Sequence, residues 1–154
     1  MEAQDWEDYI VSKYEGVVLK NAYRERSFFY NPGRVLPHGV YFSTIKESDG
    51  PNDAFSNLDR EDVFRISIGL GKKKYQQIFG GVPKRAAKGE SPVAGLWDFH
   101  QLDLLTPHPV YAWMGWVCIL NPGPLHQRVV KTMIEGSFDL AMAKFNAKMQ
   151  KLNS

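Results

Sequence analysis

The C-terminal fifth of the chain carries a single helical pattern, and this pattern constrains the fold of everything before it. Asn121-Pro122-Gly123 interrupts an apolar run, and Pro124 then suits the first turn of a helix. A helix from Pro124 to Leu152 would be about 40 Å long, which is enough to cross a whole sheet. Residues spaced four apart form the predicted buried stripe of this helix, which comprises Leu125, Val129, Met133, Ser137, Ala141, Phe145 and Met149. The predicted face also includes the flanking residues Val130, Ile134, Phe138 and Leu152.

Gly136 stands in the middle of this predicted helix. A glycine there costs about 1 kcal/mol relative to alanine, so its presence needs a reason. We expect close packing against another element at this point, and a kink in the helix is the alternative.

Short segments fill the sequence before the long helix. Strands are predicted at residues 17–19, 27–30, 40–45, 63–68 and 116–120. The first three are joined too briefly for crossover helices, which predicts antiparallel pairing. Shorter helices are predicted from a cap at Asp5 to Gly16, over Lys72–Phe79, and for a turn or two within Trp97–Leu105. We therefore predict one α+β domain over residues 1–154, with helices on one face of an antiparallel sheet and the long helix packed across it.

The composition is that of an ordinary globular domain with an excess of aromatic residues. Of the 154 residues, 44% are hydrophobic, 13% aromatic and 23% charged, which excludes a disordered, collagen-like or coiled-coil chain. Cys118 is the single cysteine, and no apolar run is long enough for a membrane helix. The first residues lack the basic and apolar regions of a signal peptide. We expect a cytoplasmic protein without a membrane partner.

Charge is segregated along the chain, although the net charge is only +2. Residues 47–62 contain six acids and one base, whereas residues 72–88 contain six bases and no acid. The two segments could neutralise each other in the folded protein. Alternatively, the basic segment could contact nucleic-acid phosphates, and the residues predicted for that role are Lys72, Lys73, Lys74, Lys84 and Arg85.

His108 is the strongest candidate for a functional side chain. Pro107 and Pro109 restrict the backbone on both sides of it, and a rigid loop is what a catalytic or ligand-binding imidazole requires. It could act as a general acid or base, or it could tie down its loop through hydrogen bonds. His100 could join it in a metal site, but no metal-ligand spacing accompanies the pair, so we predict no metal and no other cofactor.

Arg65 alternates with apolar residues in the predicted strand 63–68, so it could point into the protein. A buried guanidinium needs a carboxylate partner, and Asp59 and Asp62 are the predicted candidates. The resulting ion pair would be structural, or Arg65 would line a pocket for an anion.

A series of short motifs spans most of the chain. They are Leu58-Asp59-Arg60, Phe64-Arg65-Ile66, Ile68-Gly69, Phe79-Gly80, His108-Pro109-Val110-Tyr111, Gly115-Trp116-Val117 and Leu120-Asn121-Pro122. This pattern resembles a small, mainly bacterial family catalogued only as a domain of unknown function. The resemblance implies no activity.

A more distant resemblance rests on His108, on Trp116 at the start of the last strand, on Gly123, and on Ser137-Phe138-Asp139-Leu140. These features are similar to those of the MmcQ/YjbR-like proteins, which implies a compact α+β fold and, more remotely, DNA binding. The interval from histidine to tryptophan is longer here, and Gly115 stands where those proteins have a second histidine.

Aromatic residues surround the two candidate histidines in sequence, since five of the twenty lie between Trp97 and Trp116. Some of them could wall a pocket on the sheet face. We predict a small-molecule or anion-binding module whose site comprises His108, Trp116, Arg65 and His100. The alternatives are a nucleic-acid-binding protein that uses the basic segment and an enzyme with His108 as general acid or base. A homodimer is compatible with the sequence.

Overall fold

The computed structural model describes all 154 residues, and its centre is one antiparallel sheet of six strands. The strands lie in the order β1-β2-β3-β4-β6-β5. Their bounds are β1 Val17–Ala22, β2 Glu25–Tyr30, β3 Val40–Lys46, β4 Arg65–Gly69, β5 Thr106–Pro107 and β6 Trp116–Leu120. The two-residue strand β5 was not predicted, because two residues cannot display the alternation by which a strand is recognised.

Three helices accompany the sheet, namely α1 Ala3–Lys13, α2 Lys72–Phe79 and α3 Pro124–Leu152. The α+β class, the single long helix across the sheet and the bounds of α2 and α3 are confirmed. None of the helices has the combination of length and apolar content needed to cross a bilayer.

Two local predictions about helices are wrong. Glu2, not Asp5, is the N-cap of α1, and the Asp5 carboxylate instead accepts the Glu2 N–H at 2.7 Å from the third helical position. Residues 97–105 form turns rather than helix. Their backbone forms hydrogen bonds with the edge of the sheet instead of with itself. The Asp103 N–H donates to the Leu120 carbonyl at 2.6 Å.

The hydrophobic core lies between the sheet and the helices. Alternate residues of the central strands project into it, and the fully or nearly fully buried ones are Phe28, Ile45, Ile66, Ile68, Val117 and Ile119. The helices contribute Trp6 and Ile10 from α1, Tyr75 from α2, and Val130, Ile134, Phe138, Ala141 and Phe145 from α3. Helix α3 packs on β2, β3 and β4, the middle of the sheet.

The buried stripe of α3 begins later than predicted, because Leu125 is 89% exposed and Val129 is also exposed. Residues four apart in a helix of 3.6 residues per turn rotate by about 40° at each step. A strict four-residue series therefore leaves the buried face within a few turns, and the predicted flanking residues Val130 and Ile134 are more buried than Val129 and Met133.

The expected close packing at Gly136 is also wrong. A Cβ atom added there would have no neighbour within 4 Å, and α3 continues through this position without interruption. Gly136 instead lines an apolar groove of about 420 Å³ between α2 and α3, beside Leu70 and Met133.

Candidate functional site

The sheet face opposite the core is polar, which follows from the alternation of the strands. Ile66 and Ile68 of β4 project into the core, so Arg65 and Ser67 project from the other face. The register places further polar residues directly beside them on β2 and β3, namely Glu25, Ser27, Thr44 and Lys46. The loop after β3 and the segment before β6 cover this face and bury much of it.

Arg65 is completely buried and is held by a carboxylate from the loop after β3. Both of its terminal nitrogens donate to the two carboxylate oxygens of Asp53, and one also donates to Ser56 Oγ at 3.0 Å. Burial by itself would raise the pKa of Asp53, but the hydrogen bonds and charge of Arg65 lower that pKa to about 2. The same bonds outweigh desolvation at Arg65 and raise its pKa above the ordinary value.

The predicted partners of Arg65, Asp59 and Asp62, are wrong. The Asp59 carboxylate accepts the N–H of Asp49, while the Asp62 carbonyl accepts the side-chain amide of Asn121. Both residues are exposed, and the loop folds so that Asp53 reaches the buried guanidinium instead. Nearness in sequence does not identify the partner of Arg65, because the loop folds back and can bring any of its residues next to the strand.

Four charged side chains share this face and balance one another. The Lys46 ammonium lies 3.7 Å from Asp53, and the Glu25 carboxylate lies 4.0 Å from Arg65. Thr44 Oγ1 donates to Glu25 Oε2 at 3.0 Å. Two hydrogen-bonding atoms beneath the face, Arg65 Nε and Ser67 Oγ, are buried without a partner in the chain.

His108 is 1% exposed and belongs to a turn that fixes its tautomer. Its Nδ1 atom accepts the N–H groups of Val110 and Tyr111, both at 3.0 Å. A nitrogen that accepts two hydrogen bonds carries no proton, so the proton of the neutral ring is on Nε2. Burial, followed by the positive charge of Arg65, lowers the pKa of His108 well below 6.5, and the ring is neutral at pH 7.

His108 lines a pocket of about 280 Å³ that opens from the polar face. The other lining residues are Glu25, Ser27, Phe29, Tyr41, Thr44, Tyr111 and Trp116. The Nε2 atom makes no hydrogen bond within the chain, and His108 contributes to the pocket wall although it is almost wholly buried. It can therefore donate a hydrogen bond to a molecule in the pocket.

Trp116 is fixed as a wall of this pocket by two neighbours. Its indole ring stacks on Tyr41 with centroids 4.8 Å apart. Its other contact is with Gly69, the residue opposite it in β4, where an added Cβ would come within 2.8 Å of the ring. A residue with a side chain at position 69 would therefore displace the indole from this position.

The predicted site residues are only partly brought together. His108 and Trp116 line the same pocket, and Arg65 lies beneath the same face. His100 lies outside the pocket. It is exposed, and its backbone carbonyl accepts a hydrogen bond from Arg60. No group of three or more histidine, cysteine or acidic residues is placed to hold a metal ion.

The predicted nucleic-acid contacts, Lys72, Lys73, Lys74, Lys84 and Arg85, are all exposed. None of them forms an ion pair, and the acidic segment does not neutralise them, because its ion pairs involve Arg26, Lys46 and Arg65. Arg85 lies over the ring of Trp113, 4.8 Å from its centroid.

Several pocket residues were missed by sequence reasoning, above all Glu25, Tyr41 and Thr44. A signal for them exists, because Glu25 and Ser27 in β2 and Thr44 and Lys46 in β3 recur at the spacing of two that places residues on one strand face. That signal becomes informative only when the register with Arg65 is known.

Fold and site together define a small α+β protein with a pocket on the polar face of its sheet. The chain belongs to a family of unknown function, DUF6194, whose model matches residues 1–150. No curated protein and no solved structure matches it. The resemblance to MmcQ/YjbR-like proteins therefore stays a prediction.

Proposed function

We propose that this protein is a small-molecule-binding module and that the ligand occupies the pocket between His108 and Trp116. The observation that carries the proposal is the convergence of four aromatic rings, a carboxylate and an imidazole N–H on one cavity of about 280 Å³. Apolar walls with a few fixed polar groups are typical of ligand sites. Both His108 and Trp116 are held in place by neighbours, which lowers the entropic cost of binding.

The charges on the site favour an organic molecule over a simple anion. Glu25 is the only charged residue that lines the pocket, and Arg65 is already occupied by both oxygens of Asp53. An anion in the pocket would face the Glu25 carboxylate, and no lysine or arginine lines the pocket to offset that repulsion.

The tautomer of His108 also disfavours the alternative in which this residue is the general base of an enzyme. The Nε2–H group can donate to a ligand oxygen, whereas removal of a proton from a ligand would require the ring to change tautomer and release two backbone N–H groups. We therefore assign His108 the role of a hydrogen-bond donor to the ligand rather than of a general base.

A ligand screen with a matched pair of variants tests the proposal. Protein would be screened by thermal shift against neutral, cationic and anionic metabolites, and hits confirmed by calorimetry. In His108→Asn the amide oxygen can still accept the two backbone N–H groups, as in an Asx turn, but the Nε2–H donor is removed, since the shorter amide carries its NH₂ group closer to the backbone. We expect about a tenfold loss of affinity, the factor that corresponds to one hydrogen bond of 1.4 kcal/mol.

His100→Asn is the control, because it makes the same chemical change at an exposed residue outside the pocket. It should leave every hit unchanged. The absence of any saturable hit, or equal losses in the two variants, would refute the proposal.

A second candidate is nucleic-acid binding through the basic segment. It is supported by the exposure and lack of acidic partners of Lys72, Lys73 and Lys74. It predicts that the affinity for labelled DNA or RNA falls linearly with salt on a log–log plot, and that Lys-to-Gln changes at these three positions reduce the slope. Lack of binding at low salt would eliminate it. For either function we propose a cytoplasmic location, which suits a single, buried and unpaired cysteine.

A further inference from the structure

We infer that the pocket is selective for a compact organic cation, an ammonium ligand that also carries a hydroxyl or carbonyl oxygen. This inference rests on the proposed function, since it concerns the ligand of the same pocket. It follows from the charge of the lining residues, from the aromatic faces around them and from the tautomer of His108.

Glu25 carries the negative charge of the pocket. Its Oε2 atom is engaged by Thr44 at 3.0 Å and lies 4.0 Å from Arg65. Its Oε1 atom has no hydrogen bond within the chain, and 24% of the Glu25 side chain is exposed. Glu25 is thus a carboxylate with one available oxygen in a pocket whose walls contain no lysine or arginine.

The walls provide the second attraction for a cation. Phe29, Tyr41, Tyr111 and Trp116 all line the pocket. The faces of aromatic rings attract ammonium groups, most strongly where water is excluded. Trp116 is packed between Tyr41 and Gly69, so we assign this attraction mainly to Tyr41 and Tyr111, which are each 40% exposed. The chain itself shows this chemistry, since the Lys20 ammonium lies over the Phe29 ring, 4.7 Å from its centroid, and occupies one face of that ring.

His108 supplies the complementary contact. Its Nε2–H is a donor and its ring is neutral, so it pairs with an oxygen of the ligand and does not repel a nearby positive charge. A ligand that bears an ammonium group and an oxygen acceptor satisfies Glu25, the rings and His108 at once.

Three probes of nearly equal size separate charge from shape. They are choline, its carbon isostere in which a tert-butyl group replaces trimethylammonium, and the carboxylate anion 3,3-dimethylbutanoate (tert-butylacetate). Binding would be measured by calorimetry and by NMR shifts of the Trp116 indole. We expect choline to bind at least about tenfold more tightly than the isostere, a difference of 1.4 kcal/mol, and tert-butylacetate not to bind.

Two variants and one control locate the source of that preference. Glu25→Gln retains an acceptor for Thr44 but removes the charge, and we expect the preference for choline over the isostere to fall while the affinity of the isostere is unaffected. Glu61→Gln, at an exposed acid outside the pocket, should change nothing. Glu25 also lies near Arg65, so the Glu25→Gln change affects the surroundings of that buried cation as well as the pocket. Tyr111→Leu therefore provides a second test. It removes one aromatic ring at a partly exposed residue and should reduce the affinity for choline more than the affinity for the isostere.

The inference is overturned if the isostere or tert-butylacetate binds as tightly as choline, or if Glu25→Gln leaves the preference intact. It is also overturned if no probe binds while the metabolite screen gives hits that depend on His108, and in that case the proposed function stands. If neither the probes nor the screen give saturable binding, both proposals fail.

Discussion

At the scale of single residues, the structure depends on a buried ion pair that also forms the base of the site. Arg65 cannot reach water, and Asp53 neutralises it through two hydrogen bonds. Removal of one partner of a buried pair is strongly destabilising, because the remaining charge stays buried.

Asp53→Asn should therefore lower the free energy of unfolding by about 3–5 kcal/mol in urea denaturation. The control is Asp59→Asn, because Asp59 is an exposed carboxylate of the same loop whose contact with the Asp49 N–H an amide oxygen can retain. We expect that variant to be nearly as stable as the wild type. Equal effects of the two changes would contradict the assignment of Asp53 as the partner of Arg65.

His108 should remain neutral under conditions in which an ordinary histidine is half protonated. Its burial and the charge of Arg65 lower its pKa well below 6.5, and its Nδ1 atom accepts two N–H groups. Nitrogen NMR of the imidazole ring at pH 6.5 should show a protonated Nε2 and an unprotonated Nδ1. A signal from the imidazolium form at that pH would contradict both the tautomer and the donor role proposed for this residue.

At the scale of elements, the close approach of β4 and β6 determines the shape of the pocket. Gly69→Ala would place a Cβ about 2.8 Å from the Trp116 ring, so the indole must move away from its position against Tyr41. We expect a loss of about 1–3 kcal/mol in stability, as for other overpacked sites, and a changed near-ultraviolet circular dichroism spectrum. An unchanged spectrum at full stability would show that the indole is not confined by Gly69.

Gly136→Ala is the opposite case in α3. An added Cβ there meets no atom within 4 Å, and alanine is about 1 kcal/mol better than glycine within a helix. We expect the variant to be more stable than the wild type by up to about that amount in thermal unfolding. A loss of stability would mean that the groove between α2 and α3 has no space for the methyl group.

At the scale of the whole molecule, the buried titrating groups make stability depend on pH in two stages. The unfolded chain takes up a proton at His108 below pH 6.5, whereas the folded chain resists it. Stability should therefore fall as the pH decreases from about 6.5, by at most about 1.4 kcal/mol per pH unit. Asp53 adds a second loss between its ordinary value of 3.8 and its folded pKa of about 2.

Urea denaturation at a series of pH values would check this dependence, with His108→Asn as the reference. That variant has no imidazole at this position, so the contribution of His108 to the first stage should disappear while the second stage remains. Identical slopes for the variant and the wild type below pH 6.5 would show that His108 does not titrate differently in the two states.

Much of the fold could be predicted because its signals are local. The turn at Pro122 and Gly123 and the long periodic segment after it indicate α3, and the alternation in residues 64–68 indicates a strand with two unlike faces. The candidate site was predicted less completely. His108 stood out between two prolines, while Glu25 and Thr44 are ordinary strand residues whose importance depends on their neighbours.

The sequence by itself determined the α+β class, the length of the final helix and the rigid setting of His108, because helix periodicity, strand alternation and proline geometry act between residues near one another in the chain. Only the tertiary structure decided that Asp53 pairs with Arg65, that His100 is excluded, and that Glu25, His108 and Trp116 meet in one pocket. Those contacts depend on strand register and on the paths of two long loops. The strand register and the loop paths are set by the total apolar surface that the whole core buries, and no short segment of the sequence contains that information.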